Sequence, residues 1–308
     1  MKNVPLPLLI LCFVSSLLSC NKNKEEIKVT ELRLIGIEYK NANNFSRTNL
    51  EYDASGRITR ITYQQNEIAT HTQFDISYAN NEIVMAQPAM SNANSDVADT
   101  IRLFLDANNR VIKRINHFFF EVKGPANPPQ RTYTYDTTLY EYDAAGLPTK
   151  EIYTKKDSTW FNNGQVATYF YFTSGVTTYT SSNGNITSSN YSDKMTLTTT
   201  LPTNTYTQYR TNTTSKTFQY TKKYPNNTDF SNAAVLRELN VFSDLPFGSY
   251  SPYLPNMLTS SSVQKDGNGV IMSTDDFSTT YDFSYNAFRF VSSRVDAESK
   301  VKYLYGKP

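Results

Sequence analysis

One short unit recurs in this chain and constrains its fold more than any other feature. Leu50-Glu51-Tyr52-Asp53-Ala54-Ser55-Gly56-Arg57-Ile58-Thr59-Arg60-Ile61 returns as Leu139-Tyr140-Glu141-Tyr142-Asp143-Ala144-Ala145-Gly146-Leu147-Pro148-Thr149-Lys150. A looser copy is Leu103-Phe104-Leu105-Asp106-Ala107-Asn108-Asn109-Arg110-Val111-Ile112. Each reads as a β-hairpin. The aspartate opens the turn by accepting backbone N–H bonds from residues further on. Gly56, Gly146 and Asn109 stand where the chain needs a positive φ, which glycine adopts freely and asparagine tolerates. A type I turn closed by a G1 bulge fits such a loop. Asp266-Gly267-Asn268-Gly269-Val270-Ile271 looks like another such turn, and Tyr78-Ala79-Asn80-Asn81-Glu82-Ile83-Val84 like a distant relative.

The Tyr-Asp-x-x-Gly-Arg hairpin resembles the YD units of Rhs-type proteins. It is also similar to the repeated units of β-rich lipoproteins common in Bacteroidetes, some of them grouped in a domain-of-unknown-function family described as porin-like in fold. Gly248 to Thr259 and the aromatic stretch Tyr281-Asp282-Phe283-Ser284-Tyr285 resemble those lipoproteins too. The turn aspartates fall at 53, 106, 143 and 266. A shell or solenoid of fixed repeats would show a steadier period, so the lipoprotein group is the better match. That resemblance implies a β-rich envelope protein whose biochemical role is not established.

The N-terminus carries an address. Lys2 precedes an apolar run from Leu6 to Leu18 that is too short for a dependable span. Leu17-Leu18-Ser19-Cys20 resembles a bacterial lipobox, which implies cleavage of residues 1–19 and lipidation of Cys20. The alternative is an ordinary secretory peptide. Acyl chains contribute about 0.8 kcal/mol per buried CH₂, so such an anchor holds without a transmembrane helix. Residues 20–30 form a polar tether. Its Lys24-Glu25-Glu26 resembles the acidic signal that exports Bacteroidetes lipoproteins to the outer face of the outer membrane; a plain soluble tether reads the same way. The expected address is therefore the outer membrane, exposed at the cell surface or facing the periplasm. Cys12 leaves with the signal and Cys20 is lipidated, so the mature chain has no thiol for a disulfide, a nucleophile or a metal site.

Removing residues 1–19 from the 308-residue chain leaves 308 − 19 = 289, enough for a substantial core. With 30 basic and 28 acidic residues and no basic block, nucleic acid is not an expected partner. The 23 Tyr and 18 Phe against one Trp, amid abundant Thr, Ser and Asn, suit an antiparallel sheet. We expect an all-β hairpin meander over residues 31–305, a single domain, curled or barrel-like, because long antiparallel sheets twist and curl. Strands are expected near 29–39, in hairpins over 48–64, 73–86, 100–122 and 131–155, at 166–172 and 206–224, and over 259–305. Residues 87–99, 124–130 and 246–258 read as loops. Val235, Leu236, Leu239 and Phe242 recur at helix spacing, so a short helix is expected over 231–242, covering an end or face of the sheet; a loop is the alternative.

Chemistry is harder to find. No HExxH, GxSxG, phosphate-binding glycine loop or paired-cysteine motif occurs, and no cofactor or metal is expected. His71 and His117 are 46 positions apart and read as ordinary strand residues. Taking Asp266 as the first ligand of an EF-hand puts Ile271 at the glycine position and Phe277 at the glutamate position, so that reading fails. Asp275-Asp276 reads as a solvated turn; binding an ion together with oxygens distant in sequence is the alternative. Trp160, Phe161, Tyr169 and Tyr171 are candidates for a platform that stacks on a sugar ring; cross-strand aromatic packing is the alternative. Asp99-Thr100, Asp136-Thr137 and Asp157-Ser158 resemble the short acceptor pattern of Bacteroidetes O-glycosylation, which makes Thr100, Thr137 and Ser158 candidate acceptors. Two functional classes follow. One is a non-catalytic binding or envelope-structural lipoprotein with a glycan or protein ligand. The other is a hydrolase of an envelope or dietary polymer with carboxylates distant in sequence.

Overall fold

A computed structural model describes residues 32–66, 71–88, 90–91, 95–123, 130–162, 166–225, 233–238 and 252–307. Eighteen strands are present: β1 (Arg33–Asn41), β2 (Phe45–Tyr52), β3 (Ile58–Gln65), β4 (His71–Ala79), β5 (Glu82–Ala86), β6 (Met90–Ser91), β7 (Ser95–Leu105), β8 (Val111–Val122) and β9 (Gln130–Tyr142) in the first half. The second half adds β10 (Pro148–Asn162), β11 (Val166–Ser182), β12 (Asn185–Thr200), β13 (Thr205–Pro225), β14 (Tyr253–Asp266), β15 (Ile271–Thr280), β16 (Asp282–Tyr285), β17 (Val291–Val295) and β18 (Ser299–Gly306). One helix, α1 (Ala233–Glu238), lies between β13 and β14.

Successive strands pair antiparallel, with two detours. β5 and β6 both pair with β7, and β16 continues β15 past Tyr281. β18 then pairs with β1 from Arg33↔Gly306 to Asn41↔Ser299. The sheet thus closes into an all-β antiparallel barrel. Counting each interrupted strand once gives 18 − 2 = 16 wall positions.

The recurring unit builds the lower rim. Asp53 N–H donates to Arg57 O and Gly56 N–H to Asp53 O, both at 2.9 Å. The Asp53 carboxylate accepts from the N–H groups of Ser55 and Arg57 and from Arg57 Nε. Asp106 repeats this pattern with Asn108 and Arg110. Gly56, Gly146 and Asn109 have φ of 76°, 86° and 60°, as the G1 bulge requires. The tyrosine before the turn has its own task. Tyr78 Oη donates to Ile58 O and Tyr142 Oη to Val111 O, each at 2.8 Å, and Tyr220 Oη to Ile186 O at 2.5 Å. Tyr52 Oη bonds Leu34 O in the same way. The arginine of one turn then covers the tyrosine of the next hairpin: Arg57 lies 4.7 Å from the Tyr78 ring centre and Arg110 4.9 Å from that of Tyr142. Each hairpin is latched to its predecessor.

Above the rim lies an apolar core gathered from around the ring. It includes Leu34, Leu50, Ile61, Met85, Leu103, Tyr140, Ile186, Phe218, Leu258, Val291 and Tyr303. Val235 and Leu236 of α1 are buried within it, so the helix closes this end. The expected helix extends beyond Glu238 into residues outside the described ones. Strands differ in length: β13 has 21 residues and β17 only 5. A tall wall, β7 to β15, therefore rises beside a short wall.

Two sequence expectations need correction, and one strand carries no sequence signal of its own. Residues 87–99 are not all loop, since β7 begins at Ser95 and pairs with β8 from Val122 downward. Residues 246–258 are not all loop, since β14 begins at Tyr253; Pro255 is accommodated opposite Tyr220, at a register shift. β12, rich in Ser, Thr and Asn, was not expected as a strand; it is held by long ladders to β11 and β13.

Candidate functional site

The tall wall has two faces, and cross-strand register decides which rings meet. On β9, Tyr140 belongs to the core, so Tyr133 and Tyr135 point outward. Across the strands, Ala98 aligns with Phe119, Tyr133, Ser158 and Phe170. The adjoining outer row runs Thr100, His117, Tyr135, Lys156, Phe172. Tyr133 is 54% exposed and Tyr135 and Phe170 are each 42% exposed, on a rigid sheet. His117 meets Tyr135 edge-on at 4.7 Å, and Phe119 lies 5.0 Å from Tyr133. These rings border a shallow hollow of about 450 Å³ that also includes Thr100, Lys156 and Ser158.

Ser158 sits between Tyr133 on β9 and Phe170 on β11, which leaves a slot. The two flanking strands are two sheet spacings apart, about 9.6 Å. Lys156 supplies a cation beside the slot.

The four predicted stacking residues do not share a face. Trp160 is on the outer face in line with Arg131, whose guanidinium lies 6.0 Å from its ring. Phe161 follows it and points inward, and Tyr169 and Tyr171 share that inner face through pairing with Thr159 and Asp157. The outer rings that sequence reasoning missed, Phe119, Tyr133, Tyr135 and Phe170, have a signal in the period-two alternation of each strand. Their mutual alignment depends on register.

The three acceptor candidates, Thr100, Thr137 and Ser158, all lie on the outer face, while Asp99, Asp136 and Asp157 before them face inward. Asp136 is buried, paired with Arg114 and bonded by Asn116. Asp157 accepts from Thr134 and pairs with Lys155 at 2.7 Å. Asp193, also buried, accepts from Tyr191, Asn212 N–H and Asn212 Nδ2. Among these carboxylates, burial pushes the Tyr153 phenol up, reinforced by Asp136 and Asp157. Burial likewise raises Tyr191, helped by its hydrogen bond to Asp193.

His71 begins β4 and His117 lies on β8, which are not neighbours in the sheet. Asp275 and Asp276 lie within β15, not in a turn, and alternate between its faces. Among the described residues no three His, Cys, Asp or Glu side chains gather as metal ligands. Cys20 and its tether fall outside the described residues.

In overall fold the chain is similar to a porin-like protein from Bacteroides uniformis, with a TM-score of 0.45 and 13% identity over 89% of this chain and 98% of that one. No family model matches the sequence, and no curated protein is significantly similar to it.

Proposed function

We propose that this protein is a lipid-anchored, non-catalytic binding protein of the bacterial envelope, and that the slot between Tyr133 and Phe170 receives a sugar ring of a glycan. The observation that carries this reading is the aromatic hollow itself: two exposed rings, Tyr133 and Phe170, flank Ser158 across the sheet and border a space of about 450 Å³. Aromatic faces contribute about 0.5–1.5 kcal/mol beyond area burial, so Tyr133→Ala and Phe170→Ala should each weaken binding several-fold to about tenfold. The test is calorimetry of the signal-free chain against a panel of envelope and plant oligosaccharides. A panel without binding, or affinity unchanged in both variants, overturns the reading.

The anchor would account for membrane attachment because the outer wall is charged just above the lower rim and along β1. Arg60 bridges Glu51 and Asp75, Arg102 pairs with Glu82, and Glu38 contacts Arg47 and Lys302. A lipid-facing Arg or Lys costs more the nearer it lies to the bilayer midplane, so a charged outer band favours water. Lipidation at Cys20, surface exposure and glycans at Thr100, Thr137 or Ser158 are tested together by protease treatment of intact cells and by intact mass from the native host. A mass lacking lipid removes the anchor, and one lacking sugar removes the acceptors. The hydrolase alternative draws less support: the carboxylates Asp136, Asp157 and Asp193 are each engaged by a cation or several donors, and the exposed rings at the hollow supply binding area instead.

A further inference from the structure

The barrel carries an unfinished edge. β15 pairs with β14 from Met257↔Thr280 to Lys265↔Ile271. Its other side meets no strand among the described residues, because the ladder passes to β17 only at β16, over Asp282 to Tyr285. The short wall turns away at Asp296–Ser299. Over Ile271–Thr280 nearly every residue is exposed on both faces, including Ile271, Met272 and Phe277. Such an edge presents an N–H and a C=O at every second residue and is a template for another strand.

Two carboxylates stand in its middle. Asp275 and Asp276 point to opposite faces, and their neighbours on β14 are the neutral Ser262 and Ser261. Asp276 overlooks an outer hollow of about 450 Å³ lined by Ser215, Thr217, Thr259, Ser261 and Ser278. A lysine or arginine of an added strand would reach this carboxylate over a floor of hydroxyl groups. A second copy of the chain fits poorly, since two-fold pairing centred on Asp275 or Asp276 sets that carboxylate against its own counterpart, and like charges directly opposite destabilise a ladder.

We infer that the free edge of β15 is a docking site for an extended, basic segment of a partner protein, which adds a strand across the gap above β17. Main-chain bonds would supply affinity, and Asp275 and Asp276 the preference for cations.

The test uses the mature, signal-free chain and a fluorescent peptide of about ten residues that alternates threonine with lysine and valine. Binding is read by anisotropy. Three controls accompany it: a peptide with glutamate for lysine, a lysine peptide N-methylated at alternate amides, and the double variant Asp275→Asn/Asp276→Asn. The lysine peptide should saturate, and both control peptides should bind at least about tenfold more weakly. The double variant, with two exposed charges removed, should lose about three- to tenfold. Equal binding of the N-methylated peptide would show that no strand is added, and equal binding of the glutamate peptide or the variant would remove the basic partner. Dimerisation in sedimentation that is abolished by Ser273→Pro would assign the edge to a second copy and overturn the inference.

Discussion

Replacing the rim tyrosines by phenylalanine tests the latch that explains the recurring unit. Tyr52, Tyr78, Tyr142 and Tyr220 each donate a hydroxyl to the backbone carbonyl of a neighbouring hairpin, at Leu34, Ile58, Val111 and Ile186. The substitution keeps the ring and its packing and removes only the donor. A hydrogen bond of this kind contributes about 1 kcal/mol net. The four hydroxyls bond four different carbonyls, and only Tyr52 and Tyr78 are close, through Ile58, the ladder partner of Tyr52, so apart from that pair their effects should nearly add. The quadruple variant should lose about 4 kcal/mol, and at about 2 °C per kcal/mol for a domain of this size its Tm should fall by about 8 °C. Urea unfolding followed by circular dichroism gives the free energy, and an unchanged m-value guards against a change in compactness. A loss below about 1 kcal/mol in the quadruple variant would mean the hydroxyls do not latch the hairpins, and the tyrosines would then be conventional core residues.

Four other outcomes follow from the same interactions. The carboxyls of Asp53 and Asp106 are held below their usual range, chiefly by the backbone N–H groups of Arg57 and Arg110. Their contribution is therefore complete above the ordinary carboxyl range and fades as pH falls through the lowered values; melts of the double asparagine variant should show a flatter acid limb than the parent. At the other extreme, burial pushes Tyr78 up to about 12, so its stabilisation holds below pH 10 and drains as pH rises toward 12, readable by tyrosinate absorbance. Asp136→Asn removes the carboxylate paired with the mostly buried Arg114 and should cost about 3 kcal/mol by urea unfolding, with part recovered in Arg114→Met/Asp136→Leu. Gly175→Ala places a methyl 2.9 Å from Asp193 Cβ and 3.1 Å from the Ser192 carbonyl, so the same assay should show a loss of about 1–3 kcal/mol.

The lower rim was legible because its chemistry is local. An aspartate and a positive-φ residue three positions later write the turn into consecutive residues, and Gly56, Asn109 and Gly146 adopt the backbone that reading requires. A further copy, Asn286-Ala287-Phe288-Arg289-Phe290, escaped it. There asparagine accepts the same N–H bonds and Arg289 takes the positive φ at 66°, a position where neither glycine nor asparagine marks the turn. The apolar period in Val235 and Leu236 likewise announced α1. Long ladders were opaque for a different reason. β12 has few apolar residues and draws its order from partners, not from its own composition. The stacking residues illustrate the remaining limit: proximity in sequence joined Trp160 to Phe161, whereas the pleat sends them to opposite faces.

The unequal walls bring these observations into one argument. Latched hairpins and the helix-covered core tie the lower barrel together, and β1 enters and β18 leaves at this rim, where Arg33 pairs with Gly306. A tether over residues 21–31 spans at most about 40 Å, so an anchor at Cys20 would hold the lower rim near the bilayer. The tall wall would then stand farthest from the lipid, with the Tyr133–Phe170 slot on its outer face and the β15 edge at its margin. Lengthening the tether with a flexible insert after Lys24 separates reach from chemistry: affinity for a soluble oligosaccharide should stay constant, while capture of glycan-coated beads by intact cells should change. Equal capture by short and long tethers would show that distance from the membrane does not govern access to the slot.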